Sequence, residues 1–249
     1  MNKIKVSSLS KFYLEQPVID QLSFEVEEGE RMALFAPSGA GKTTLIKILA
    51  GLEKTSAGTY SVEDRSPSVL FQEPRLFAYM TVEENIRLPW KLRRQKWSVQ
   101  EGAEFEAWLD VCELSESRHK YPYQLSGGMR QKAALIRGLL WHPRLVLMDE
   151  PFNSIGIEMR EKIIDFLKIQ NPGLTMLMAT HNLEEIALLA DSVLYFSSNC
   201  LASPHKVSAA TFIKKYAGFF EDLIATESGN SCTKRRINDY SSQFITMHN

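Results

Sequence analysis

The chain has 249 residues, of which 44% are hydrophobic and 24% charged, and its formal net charge is -1. This balance is typical of a globular protein with one large core, and it argues against a strongly basic nucleic-acid-binding protein. The three cysteines, Cys112, Cys200 and Cys232, have neither paired nor metal-binding spacing, as expected in a reducing cytosol. We find no signal-peptide pattern and no apolar run near the roughly 20 residues of a membrane helix. If the protein acts at a membrane, we therefore expect a partner to recruit it there.

A β-rich region begins the chain. The alternating stretch KIKVSSLSKFYL, residues 3–14, predicts an edge strand. The stretch QLSFEVEEGERMALFA, residues 21–36, predicts two strands joined by a turn at Gly29. Residues 32–36 are nearly all apolar, which indicates a strand buried on both faces. Glycines interrupt this strand, and residues 42–52 then have the apolar spacing of a helix.

The remaining chain alternates strands and helices around one mostly helical block, which runs from about Thr81 to Leu140. Further strands are predicted at residues 68–72, 145–149, 174–181 and 192–197, and helices at residues 156–171 and 182–190. This order predicts an α/β fold: a core with a mixed, largely parallel sheet, an N-terminal antiparallel β portion and a helical subdomain. The last ~35 residues are polar and are expected to fray at the terminus.

A glycine-rich loop joins the buried strand to the first helix. It matches the phosphate-binding pattern G-x-x-x-x-G-K-[ST] except at the first position, where Ala36 stands. Glycines let successive backbone N–H groups face phosphate oxygens, the lysine compensates phosphate charge, and the next hydroxyl suits Mg²⁺. A plain glycine turn is disfavoured by the strand–loop–helix context. The predicted ATP-binding residues are Ala36, Pro37, Ser38, Gly39, Ala40, Gly41, Lys42, Thr43 and Thr44, with Thr43 also on the metal.

Two carboxylates follow the apolar strand LVLM, residues 145–148. Ligands of α/β proteins bind at the carboxyl ends of parallel strands, so this position suits a catalytic pair. Asp149 is predicted to hold Mg²⁺ and Glu150 to polarise the attacking water. By itself an Asp-Glu pair after a strand is a common helix start; its combination with the loop favours the catalytic interpretation.

The stretch QLSGGMRQ, residues 124–131, predicts a capped helix start. Ser126 can accept hydrogen bonds as the N-cap, and Gly127 and Gly128 leave the first helical N–H groups open to an anion. Alone, this stretch would favour a tight loop before a helix.

In this order the motifs resemble those of the ATP-binding subunits of ABC transporters, along roughly Lys3 to Ser197. LSGGM, residues 125–129, is similar to the family signature LSGGQ, with Met129 in place of glutamine. The resemblance implies nucleotide contacts from Ser126 to Met129. It also implies that Tyr13 stacks on adenine, that Gln72 reaches Mg²⁺ and serves catalysis, and that His181 contacts the γ-phosphate.

The resemblance further implies a head-to-tail homodimer that closes on two ATP molecules with Mg²⁺. The chain is most similar to the nitrate, sulfonate and taurine importer branch. We therefore expect two membrane permease subunits as partners, a solute-binding protein as an indirect partner, no nucleic acid, and a peripheral location on the cytoplasmic face of the inner membrane. Residues 1–200 would form the ATP-binding domain, with its helical subdomain at about 74–140, and residues 201–249 a partly flexible C-terminal extension.

The permease is expected to dock near residues 72–90, where Phe77, Tyr79 and Met80 offer apolar contacts; the alternative places these three in the subdomain core.

Two departures from the family pattern bear on activity. Ala36 replaces a loop glycine, and Gly156 replaces the aspartate of the SALD motif that couples the two sites. We expect an active, even if slow, ATPase. The alternatives are a non-transport ABC ATPase of DNA repair or ribosomes, and a degenerate ATP-binding module.

Overall fold

The computed structural model describes residues 2–64, 67–196 and 200–215. The chain forms two compact units. The first comprises Met1–Arg65 and Thr175–Asn249, and the second comprises Ser66–Leu174.

The first unit begins with a three-stranded antiparallel sheet in the order β2-β1-β4. Its strands are β1 (Asn2–Tyr13), β2 (Gln16–Glu27) and β4 (Ala57–Val62). The prediction that β1 is an edge strand is wrong, because it pairs with β2 on one side and β4 on the other. Alternating exposure is the same in a central and an edge antiparallel strand, so the pattern carries no information on the number of partners.

The first unit also contains three parallel strands: β3 (Arg31–Phe35), β7 (Thr175–Ala179) and β8 (Ser192–Tyr195). Strand β3 pairs with both of the others. Strand β9 (His205–Ser208) pairs antiparallel with β8. The side chains of β3 beyond its first residue are buried, as its apolar run predicts.

Helices α1 (Lys42–Leu49) and α6 (Leu183–Leu189) follow β3 and β7 in this unit. Helix α1 ends in a Schellman motif: Gly51 has φ +72°, its N–H donates to Ile48, and the N–H of Leu52 donates to Lys47. The glycine thus ends α1 earlier than the predicted residue 52.

Residues beyond position 200 contribute to the core of the first unit. Ala209 and Phe212, in a helical stretch at 209–215, pack with Phe35, Ile186 and Val193. The rings of Phe35 and Phe212 meet edge to face with centroids 5.2 Å apart. The predicted domain boundary at 200 stays a prediction, and residues 216–249 of the predicted extension lie outside the described part of the chain.

The second unit contains two parallel strands, β5 (Ser68–Leu70) and β6 (Leu145–Asp149). Its helices are α2 (Val82–Arg93), α3 (Val99–Val111), α4 (Gly127–Leu139) and α5 (Ile157–Gln170). Capping boxes begin α2, from Thr81 with Glu84, and α3, from Ser98 with Glu101. Together, the two units have the predicted α/β class, with an antiparallel N-terminal sheet, largely parallel strands and a helical region.

Candidate functional site

The loop after β3 folds back on its own lysine. The ammonium of Lys42 is buried and donates to the carbonyl oxygens of Ala36 at 2.7 Å and Pro37 at 2.9 Å. Gly39 and Gly41 have φ angles of +82° and +103°, which L side chains rarely adopt. The predicted glycines are therefore required by the handedness of the backbone. The loop places one cation and the open N-terminus of α1 together, which suits a phosphate group.

Gly41 meets a second constraint. It is the N-cap residue of α1, and a Cβ at this position would lie 2.6 Å from Cγ1 and 2.9 Å from the carbonyl oxygen of Val18. Val18 belongs to β2, so the N-terminal sheet packs directly against the start of this helix within the first unit. Ala36 is buried and its backbone is not in the left-handed region, so its methyl group causes no backbone strain.

His181 comes two residues after the end of β7, rather than at the predicted last residue of that strand. The N–H of Thr180 donates to Leu34 of β3 at 3.3 Å, so β3 and β7 end at the same edge of the sheet. Asn182 caps α6 as predicted, because its side-chain oxygen accepts hydrogen bonds from the N–H groups of Glu184 and Glu185 at 2.8 and 3.3 Å. Within the first unit, the structure therefore brings His181 to the sheet edge from which the glycine loop starts.

Tyr13, the predicted adenine-stacking residue, is 43% exposed at the end of β1. The ammonium of Lys11 lies 4.8 Å from the centre of its ring and forms an ion pair with Glu53 at 2.6 Å. The hydrogen bond from Lys11 lowers the pKa of the Glu53 carboxyl. Phe12 is equally exposed, so exposure does not distinguish which of the two aromatic rings would stack on a base.

In the second unit, Asp149 and Glu150 follow β6 as predicted. Asp149 is 3% exposed, and Glu150 has a left-handed backbone, with φ +46°. The carboxylate of Glu150 accepts a hydrogen bond of 2.6 Å from the side-chain amide of Asn153. Because β5 and β6 are parallel neighbours, Gln72, two residues after β5, comes at the same end of this pair as Asp149. The predicted strand 68–72 is shorter, and Gln72 is exposed.

The signature stretch begins α4 as predicted. Ser126 is the N-cap and its hydroxyl accepts from the N–H of Met129 at 3.2 Å. Ser126 and Gly127 are exposed, whereas a Cβ on Gly128 would lie 2.6 Å from the carbonyl oxygen of Ser154. This helix end is open to solvent and has no acidic residue in its first turn, so it can accept an anion from outside the chain.

Sequence reasoning missed three polar residues of the second unit. The buried amide of Gln131 donates to the carbonyl of Pro151 at 2.7 Å, and Asn153 holds Glu150. Arg137 donates to the carbonyls of Arg75 and Pro74 at 3.0 and 3.1 Å, and burial lowers the pKa of its guanidinium. Gln131 and Arg137 lie on the apolar face of an amphipathic helix. A polar residue at such a position in the sequence pattern could have identified both as buried polar groups.

No group of three His, Cys, Asp or Glu side chains within the described residues could hold a metal ion. The predicted ligands are a hydroxyl, an amide and a carboxylate, from Thr43, Gln72 and Asp149. Such oxygen ligands suit Mg²⁺, which keeps waters and binds substrate phosphates rather than a closed protein cage.

No helix in the described ranges is both long and apolar enough to cross a bilayer.

Residues 19–153 match the family model described as ABC transporter. Over 224 residues the chain is 36% identical to the aliphatic sulfonates import ATP-binding protein SsuB 1 of Paracoccus denitrificans, which covers 88% of this chain and 90% of that protein. It is 37% identical over 205 residues to the sulfate/thiosulfate import ATP-binding protein CysA of Xanthomonas campestris, which covers 76% of this chain and 60% of that protein.

The fold of this chain is similar to that of solved structures. One is a dimeric post-hydrolysis state of the ATP-binding cassette MJ0796 bound to ADP and Pi, with a TM-score of 0.71, 25% identity, and coverage of 82% of this chain and 98% of that chain. A second dimeric structure of this bacterial ABC transporter cassette has a TM-score of 0.72, 26% identity and the same coverage. These similarities confirm the expected P-loop NTPase fold class.

Proposed function

The chain belongs to the ABC transporter family, and we propose that it is the ATP-binding subunit of an importer that couples ATP binding and hydrolysis to solute uptake. As a member of this family the chain is an ATPase. The match to the sulfonate import subunit carries the proposal of import, because it extends over 90% of that relative. The sulfate relative points to the same class of solute, a small sulfur oxyanion. The permease and the solute-binding protein would select the solute itself.

Residues of each unit have a proposed role in ATP binding and hydrolysis. In the first, the glycine loop and Lys42 bind the phosphates, Tyr13 contacts adenine, and His181 contacts the γ-phosphate. In the second, Glu150 polarises the water that attacks the γ-phosphorus. Bound Mg²⁺ would neutralise phosphate charge, held through oxygen atoms of Thr43, Gln72 and Asp149.

We propose a homodimer in which the signature stretch of one subunit faces the nucleotide of its partner. The open end of α4 supports this role, because Ser126 and Gly127 are exposed and an N-terminal helix end attracts a phosphate. Dimerisation by ATP and release after hydrolysis would provide two states with different nucleotide affinity.

We propose a permease surface at residues 72–90, through which this subunit would be held at the periphery of the membrane. Phe77 and Tyr79 are 53% and 95% exposed, which disfavours the alternative that they form subdomain core. A cavity of about 330 Å³ beside Phe77 is lined in part by Arg75, Arg93 and Arg137. None of these arginines forms an ion pair within the described ranges. This surface suits a permease segment with apolar and acidic side chains.

Co-purification tests the permease surface. Phe77→Glu and Tyr79→Glu should abolish co-purification with the permease and leave ATP binding unchanged. Ile169→Glu is the matched control, because Ile169 is an exposed apolar residue of α5. Loss of ATP binding together with loss of folding in the Phe77 and Tyr79 variants would favour the core interpretation.

Glu150→Gln tests the ATPase proposal. The variant should bind ATP and accumulate as an ATP-held dimer in gel filtration, because chemistry is blocked while nucleotide contacts remain. Glu158→Gln, at an exposed carboxylate of α5, is the control and should turn over ATP normally. A Glu150→Gln protein that stays monomeric with ATP, while the unaltered protein dimerises transiently, would contradict the role of Glu150. Absence of turnover in the unaltered protein with its permease would favour a degenerate module.

A further inference from the structure

The turn between β6 and α5 is strained and tightly held. Two of its non-glycine residues, Glu150 and Ser154, have left-handed backbones, with φ of +46° and +67°. Backbone conformations of this kind persist only where the surrounding structure fixes them. The strain lies at the residue that carries the proposed catalytic carboxylate.

Helix α4 supplies the contacts that fix this turn. The buried amide of Gln131 donates to the carbonyl of Pro151 at 2.7 Å. The carbonyl oxygen of Ser154 packs so closely on Gly128 that a Cβ there would lie 2.6 Å away. Phe152, between these two contacts, is fully buried. The backbone from Pro151 to Ser154 is therefore anchored at three of its four residues.

Asn153 projects from this anchored backbone toward the carboxylate of Glu150. Its Nδ2 donates to Oε2 of Glu150 at 2.6 Å, and its N–H faces the carbonyl of the same residue at 3.3 Å. A carboxylate only accepts hydrogen bonds, so the amide must present its nitrogen and not its oxygen. Hydrogen bonds to an ionised group are short and directional, and this one fixes the orientation of the carboxyl group.

We propose that Asn153 is a positioning residue for hydrolysis: it orients the carboxylate of Glu150 toward the attacking water from a turn that the signature helix holds in place. The inference rests on the proposed role of Glu150. Asn153 touches neither water nor phosphate in this account, and it acts only through Glu150. Because helix α4 carries the signature at its N-terminus, the same helix that faces the partner's nucleotide also supports the carboxylate of its own subunit.

Asn153→Asp tests this inference with a side chain of the same shape in which a carboxylate oxygen replaces the N–H donor and repels the carboxylate of Glu150. We expect kcat for ATP to fall by about 10- to 100-fold, the effect of a misplaced catalytic group. The dissociation constant for ATP should change less than about twofold, and the variant should accumulate as an ATP-held dimer. Asn153→Ser keeps a donor on a shorter side chain, so its kcat should lie between those of the unaltered protein and Asn153→Asp.

Asn171→Asp is the matched control, because it makes the same change in the same unit at the end of α5. It should leave kcat and ATP affinity unaltered. Unchanged kcat in Asn153→Asp would overturn the inference. Equal losses of ATP binding and melting temperature in Asn153→Asp and Asn153→Ser would also overturn it, because they indicate a role in folding. Failure of Glu150→Gln to hold an ATP dimer would instead contradict the proposed function.

Discussion

The loop before α1 and the loop before α4 both place glycines at the start of a helix, but for different physical reasons. In the first loop, Gly39 and Gly41 are required by positive φ angles, and the loop closes on the buried ammonium of Lys42. In the second, Gly127 and Gly128 are helical, and only Gly128 is constrained, by the carbonyl of Ser154.

This difference indicates how each loop would hold a phosphate. The first loop carries its own cation and has its backbone arranged before any ligand arrives, so it can bind a nucleotide within one subunit. The second loop presents exposed N–H groups of a helix end, and the guanidinium of Arg130 in its first turn donates to the carbonyl oxygens of Pro122 and Leu125. A helix end of this kind attracts an anion weakly by itself, and in the proposed dimer it would act on a phosphate that the partner subunit already binds.

The largest effect is expected from Lys42→Ala, which breaks the first loop only. Removing one partner of a buried, hydrogen-bonded charge typically costs about 2–5 kcal/mol, so ATP affinity should fall by roughly 30-fold or more. Ser126→Ala breaks the second loop only, and it should leave ATP binding to the monomer intact while weakening the ATP-held dimer. Titration calorimetry and gel filtration measure the two effects. Equal losses of monomer ATP affinity in both variants would remove the distinction between the loops.

Glycine-to-alanine substitutions sharpen the comparison through stability. Gly41→Ala adds a left-handed penalty to a collision with Val18, and it should destabilise the fold by about 2–5 kcal/mol. Gly128→Ala adds only a collision with the carbonyl of Ser154, so it should destabilise the fold by about 1–3 kcal/mol. Gly127→Ala has open space, so it should stabilise α4 by about 0.5–1 kcal/mol.

Thermal unfolding measures this series, with each kcal/mol shifting the melting temperature by about 2–4 °C in a chain of this size. Gly127→Ala is the control for Gly128→Ala, because the two glycines are neighbours in one helix. Identical melting temperatures for these two variants would show that the contact with Ser154 does not constrain the loop.

Much of the fold follows from the sequence because its signals are local. The apolar runs of β3 and β6, the capping residues Ser126 and Asn182, and the glycine loop all act within a few residues. The central position of β1 depends on a partner strand about 50 residues away, which no local pattern encodes.

The details of the candidate site were less predictable for a similar reason. Asn153 reaches Glu150 across a turn whose left-handed residues are Glu150 and Ser154, and the contacts of α4 that hold this turn are distant in sequence. A close approach such as that of Ser154 to Gly128 depends on packing and leaves no periodic signal. The pattern could therefore identify the carboxylate and not the residue that orients it.

Gly156→Asp is expected to have a smaller, favourable effect. Gly156 is the N-cap of α5, with φ -64° and ψ 154° and no side-chain cap, and a Cβ there meets open space. Aspartate is a preferred N-cap, so the variant should gain about 0.5–1.5 kcal/mol of stability from the cap and from a less flexible unfolded chain. We also expect it to raise ATP hydrolysis or its cooperativity with the permease, because the carboxylate that couples the two sites is restored. A lower melting temperature would contradict the capping argument, and steady-state assays test the coupling.

Ala36→Gly should have the smallest effect on nucleotide binding, although it restores the first glycine of the pattern. The backbone of Ala36 is not left-handed, and its carbonyl already accepts from Lys42 at 2.7 Å, so the alanine methyl disturbs neither. ATP affinity should therefore change by less than about threefold, or roughly 0.7 kcal/mol. Stability should fall by about 1–2 kcal/mol, because a buried methyl is lost and glycine is more flexible in the unfolded chain. Calorimetric titration with ATP and thermal unfolding measure the two quantities on one preparation. A tenfold gain in affinity, with turnover that the unaltered protein lacks, would mean that the cradle needs glycine at this position and that the loop is degenerate as it stands.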